Sequence, residues 1–138
     1  MEITRRDTLA LGLGAVVLTM LPFRANAAAD EAIAAFTGGA DITEGGVTLT
    51  APEIAENGNT VPIGVEADGA VAIMVLAMGN PTPGVATFRF GELAGLQSAS
   101  TRIRLAGTQD VVAVAQMADG SFAKATANVK VTIGGCGG

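Results

Sequence analysis

Val71-Ala-Ile-Met-Val-Leu-Ala-Met78 is an unbroken apolar run of eight residues, bounded by Asp68-Gly69 on one side and Asn80-Pro-Thr-Pro-Gly84 on the other. Eight residues between turn signals is the length of a strand, not of a helix. The absence of alternation predicts a central strand buried on both faces and makes this run the best core candidate. The flanking stretches read as its neighbours. Upstream lie Val47-Thr-Leu-Thr50 and Thr60-Val-Pro-Ile-Gly-Val-Glu66, separated by a loop over 52–59 in which Asn57-Gly58 supplies the positive φ of a tight turn. Downstream come Val85-Ala-Thr-Phe-Arg-Phe90 and then Ser100-Thr-Arg-Ile-Arg-Leu-Ala106. There Arg102 and Arg104 face one way and Ile103 and Leu105 the other, so one sheet face is wet. Gln109-Asp110 leads into Val111–Met117, Asp119-Gly120 makes a hairpin turn, and Phe122–Ile133 returns as the last strand. Before the strands, Asp30 caps a short helix through Phe36, ended by Gly38-Gly39.

Seven short strands with no room for crossover helices predict an all-β fold, an antiparallel immunoglobulin-like β-sandwich with a short N-terminal helix and a flexible Gly-rich C-terminal tail. A closed barrel is the alternative. The chain has no tryptophan and a single cysteine, so the core Trp and Cys pair of antibody domains are missing and the expectation concerns architecture, not ancestry. Val, Ile, Leu and Met form the core.

Composition removes several chemistries. No histidine among 138 residues leaves no Ser-His-Asp or Cys-His relay and no His-ligated zinc or haem. One cysteine excludes an internal disulfide, a CxxC redox pair and a thiolate metal cluster. No metal or other cofactor is expected. A formal net charge of −5 argues against nucleic acid as a ligand.

The first 27 residues have the three-part plan of an export leader: a charged start with Arg5-Arg6, an apolar run from Leu9 to Leu21, and Ala25-Asn26-Ala27 as the cleavage site, with Ala29 the other choice. Thr4-Arg5-Arg6 resembles a twin-arginine signal, and the apolar run is shorter than the roughly 20 residues that span a bilayer. A periplasmic protein is expected, with no membrane anchor. Cleavage after Ala27 takes away three basic and two acidic side chains, leaving 111 residues with five basic against eleven acidic groups and a net charge of −6. That length makes one domain, 28–133, followed by the tail 134–138. Twin-arginine export carries folded proteins, usually for a cofactor or a bound partner, and with no cofactor ligands a partner is the better expectation.

The chain closes on Gly134-Gly135-Cys136-Gly137-Gly138. Four glycines around one thiol give nothing to pack, and three extended residues carry Cys136 about 10 Å beyond Ile133, enough to enter a cleft in another protein. The terminal carboxylate lies close by and no cation does, so the thiol stays near its ordinary pKa of about 8.5 and depends on a processing enzyme for activation. This domain is then the carried party and not the catalyst. A disulfide dimer of an exported binding or structural module, formed through Cys136, is the alternative; an incidental thiol and a lipid attachment point fit less well. Glu53 and Glu56 read as a solvated loop, Arg102 and Arg104 as a solvent or partner face, and Met74, Met78 and Met117 as core fillers.

The ending Gly134–Gly138, with Pro52–Pro62, Ser100–Ala106 and Val129–Ile133, resembles the SoxY family, the sulfur-carrier subunits of the bacterial thiosulfate-oxidising Sox system. The resemblance covers essentially the whole mature chain, and its specific part is the Gly-Gly-Cys-Gly-Gly ending after a strand. It implies covalent attachment of sulfur intermediates at Cys136, with no turnover by the chain itself. It also implies a heterodimer with a small β-sandwich subunit of the SoxZ type. In the family a haem enzyme conjugates thiosulfate to the thiol, a dimanganese hydrolase releases sulfate, and a sulfane dehydrogenase oxidises the remaining persulfide sulfur.

Overall fold

The computed structural model describes residues 24–133. Helix α1 (Arg24–Thr37) precedes nine strands: β1 (Ile42–Glu44), β2 (Thr48–Thr50), β3 (Ile54–Ala55), β4 (Val61–Glu66), β5 (Ala70–Ala77), β6 (Gly84–Arg89), β7 (Ser98–Ile103), β8 (Gln109–Met117) and β9 (Phe122–Val131). The larger sheet runs β1-β9-β8-β5-β6, with β3 also pairing β9; the smaller runs β2-β4-β7. The sandwich expected from the sequence is present. It has three layers, because α1 covers the outer face of the larger sheet.

That third layer explains the apolar run. Along β5, Ile73, Val75 and Ala77 enter the core between the sheets, where they meet Val61, Ile63, Ile103 and Leu105. Met74 and Leu76 point the other way and join Val112, Val114 and Phe122 beneath Ile33 and Phe36 of α1. A strand packed on both faces has no polar positions to alternate with. Only Val71, 40% exposed at the start of the run, escapes this burial. Phe36 meets Phe122 edge-on, with ring centroids 5.9 Å apart.

Four expectations are corrected. The helix begins at Arg24, so Asp30 is not its cap: the Ala-rich stretch from residue 25 has the highest intrinsic helix propensity and extends the helix upstream. Its end falls where expected, with Gly38 (φ 65°) donating to the Ala34 carbonyl at 2.8 Å. There are nine strands and not seven, because β1 and β3 have three and two residues, too few to show a period. Both pair with β9 in parallel, so the sandwich is not wholly antiparallel. Gly58 does not adopt positive φ; the glycines that do include Gly69 and Gly120, at the Asp68-Gly69 and Asp119-Gly120 turns. The 57–59 turn is closed instead by the Asn57 side chain, whose Oδ1 accepts the Asn59 N–H at 3.0 Å.

Candidate functional site

The last described residues of the chain are the root from which Cys136 departs. On one side β9 is held by the segment around β3. The Lys130 N–H donates to the Glu53 carbonyl (2.9 Å), Thr132 N–H to the Ala55 carbonyl (3.1 Å), and Gly58 N–H to the Ile133 carbonyl (2.8 Å). The Thr132 hydroxyl adds a bond to the Glu56 carbonyl at 3.2 Å. On the other side Val131 N–H donates to Thr108 Oγ1 at 3.0 Å. The backbone is therefore fixed from both edges up to Val131 and from the β3 side through Ile133, whose own side chain is 62% exposed. Gly58 is the junction. It is buried, and its carbonyl accepts the Leu105 N–H at 2.7 Å, which ties the tail root to the smaller sheet.

A polar node braces the loops at the same end. Gln109, only 7% exposed, accepts the Gly79 N–H on Oε1 (2.8 Å) and donates through Nε2 to Asn80 Oδ1 (2.8 Å) and the Gly107 carbonyl (3.0 Å). Asn80 in turn donates to the Arg104 carbonyl (2.8 Å) and accepts the Ala106 N–H (2.9 Å). A Cβ at Gly79 would meet Gln109 Cβ at 3.0 Å, tight enough that Gln109 would have to give by a few tenths of an ångström. Among the described residues no buried side-chain nitrogen or oxygen lacks a partner. This end is a rigid platform.

Glu53 and Glu56 are exposed, as expected, yet their backbone carbonyls do structural work by holding β9. Arg102 and Arg104 are exposed beside buried Ile103 and Leu105, confirming the wet face; Arg102 Nη1 donates to Thr60 Oγ1 at 3.4 Å. Met74 lies in the helix-side core, with Met78 and Met117 packed at the two cores' margins. A shallow trough of about 820 Å³ crosses the outer face of β2-β4-β7, lined by Thr48, Thr50, Pro62, Gly64, Ser100 and Arg102. Cys136 and its flanking Gly134, Gly135, Gly137 and Gly138, and the leader arginines Arg5 and Arg6, lie outside the described residues. The sequence reading missed Gly58, Thr108 and the Asn80–Gln109 node. Their only local trace is a polar residue or glycine at the rim of an apolar run, which does not name its distant partner.

Comparison with known proteins agrees with this architecture. The family model for sulfur oxidation protein SoxY matches residues 33–136. Among solved structures, the sulfur carrier protein SoxY from Chlorobium limicola f. thiosulfatophilum superposes with a TM-score of 0.68 at 38% identity, over 78% of this chain and 98% of that one. A superoxide reductase (neelaredoxin) from Ignicoccus hospitalis shares the fold alone, with a TM-score of 0.56 at 13% identity over 63% of this chain and 80% of its own. No curated protein matches. With a family match running from α1 through the tail cysteine, and a SoxY structure covered almost end to end, this chain belongs to the SoxY family of sulfur oxidation proteins.

Proposed function

We propose that this protein is a covalent sulfur carrier, in which Cys136 holds the intermediates of thiosulfate oxidation while separate enzymes act on them. The observation that carries the reading is the tail root: a backbone pinned from both sides to Val131 and from one side through Ile133, followed at once by Gly-Gly-Cys-Gly-Gly. A fixed root and a side-chain-free tether let a thiol reach about 10 Å into a partner's cleft from a body of constant shape. The body supplies a handle and the tether supplies access.

The chemistry is that of a thiol without local activation. In loading, the Cys136 thiolate and the outer sulfur of thiosulfate form an S–S bond and give up two electrons to the haem enzyme, leaving a cysteine S-thiosulfonate. Water then cleaves the bond between sulfane sulfur and sulfonate. Sulfate leaves with the added oxygen, two protons are released, and a persulfide anion stays on Cys136 for the sulfane dehydrogenase. This chain binds no cofactor of its own and performs no turnover. Its body pairs with a SoxZ-type subunit.

The site of action is the periplasm, reached through a twin-arginine leader that spans 1–27. Ala29 is wholly buried whereas Ala27 is exposed, which supports processing after Ala27, since cleavage after Ala29 would remove a buried residue. The deciding experiment is intact-mass analysis after incubation with thiosulfate and the conjugating haem enzyme. Wild type gains reductant-labile sulfur adducts, and Cys136→Ser gains none. An unmodified wild-type thiol under those conditions overturns the proposal.

A further inference from the structure

The two long sides of the sandwich are finished differently. On one side the outer edge of β9 is covered at both ends, by β1 and by β3. On the other, β6 ends the larger sheet and β7 ends the smaller, and among the described residues no strand pairs beyond either. The ladder phase fixes which groups are free. Phe90 N–H donates to the Val71 carbonyl at 3.0 Å, so in the antiparallel β5–β6 pair the peptide groups of Thr87 and Arg89 point away from β5 to the open edge. Between the two edges Phe88, Phe90 and Ala99 are only half buried, and the connecting loop holds Leu93 at 100% and Leu96 at 71% exposure. Exposed, unprotected edges of this kind are normally paired or blocked.

Charge identifies the occupant. Three of the five cations of the mature chain, Arg89, Arg102 and Arg104, sit on or just beyond these two strands, and residues 84–90 and 98–106 contain no acid. Glu92 in the loop and Glu66 beside Ser98 are the acids nearest along the chain or across the ladder. Arg89 alternates with the core-facing Phe88 and Phe90 and so projects from the outer face of the larger sheet, while Arg102 lies on the outer face of the smaller one. A second copy pairing along β6 would bring a second Arg89 and no acid to the seam, whereas an acidic strand would find Arg89 unopposed.

We propose that the open edge of β6 receives an edge strand from a different polypeptide, one bearing acidic side chains, which extends the larger sheet by one strand and covers Phe88 and Phe90. The inference deepens the reading of this chain as a carrier paired with a SoxZ-type subunit, and rests on it. The docking edge lies along the flank of the sandwich, so the tail root remains free for enzymes while the partner stays bound.

The test uses the complex with the co-expressed SoxZ-type subunit. Hydrogen exchange at the Thr87 and Arg89 amides, followed with and without the partner, slows about tenfold or more on binding. Thr87→Pro removes an outward N–H and no bond of the β5–β6 ladder, and weakens the complex about tenfold or more. Arg89→Glu weakens it most at low salt. Unchanged exchange at Thr87 and Arg89 in a complex that does form overturns the docking edge and leaves the carrier and partner readings standing. Failure of any complex to form overturns the partner reading and the docking edge together, while sulfur loading of Cys136 is measured independently. Self-association of the free chain with protection at Thr87 overturns the choice of a foreign strand.

Discussion

Deleting Gly134 and Gly135 places the carrier thiol directly after Ile133 and shortens its reach from three residues, about 10 Å, to one, about 3.5 Å. The shortened chain can recover two residues of reach only by peeling Thr132 and Ile133 from the body. That breaks the bonds from Gly58 N–H to the Ile133 carbonyl, from Thr132 N–H to the Ala55 carbonyl, and from the Thr132 hydroxyl to the Glu56 carbonyl. Three such bonds at about 0.5–1.5 kcal/mol each cost about 1.5–4.5 kcal/mol. The extended form is then populated about ten- to a thousandfold less. These groups lie near the surface, which favours the lower half of that range. The assay is the rate at which intact mass shows sulfur added by thiosulfate and the haem enzyme, with alkylation by a small reagent as control. Alkylation persists in the deletion variant and enzymatic loading falls by at least about tenfold. Replacing Gly134 and Gly135 by two alanines keeps the length and most of the loading. Loading of the deletion variant at the wild-type rate refutes the tether and its fixed root.

Three further outcomes follow from the packing and the polar contacts. Gln109→Ala leaves the Gly79 N–H without its acceptor and Asn80 Oδ1 with the Ala106 N–H as its remaining donor, and lowers stability by about 1–3 kcal/mol in urea unfolding, with faster amide exchange at Gly79 and Ala106. Phe122→Ala removes the ring that α1 packs on and costs about 3–5 kcal/mol in the same assay; a loss under about 1 kcal/mol would mean that α1 is not a fixed layer. The Ser121 hydroxyl, aided by its backbone N–H, donates to Asp119 and holds that carboxyl below its usual value of 3.8. The stabilisation is complete well above 3.8 and is lost as pH falls through the lowered pKa, and Ser121→Ala moves the Asp119 midpoint, read by carboxyl NMR titration, upward.

Every long strand, the end of the helix and the wet face of Arg102 and Arg104 were legible in the sequence, because each is written in a local signal. An apolar run between turns, a two-residue alternation and a glycine pair after a helix need no knowledge of distant residues. The tertiary structure alone decided how residues 130–133, the root of the tail, are held. Thr132 bonds to Glu56 across a sequence separation of 76, and β3 is two residues long, so its pairing with β9 leaves no periodic mark. Gly58 reads locally as a turn glycine, whereas its place is set by Ile133 and Leu105 converging on its N–H and its carbonyl. The apolar run at 71–78 announced two buried faces, but only packing showed that one of them lies under α1. Local composition specifies what a segment must hide; which partner hides it depends on chain segments brought together by folding.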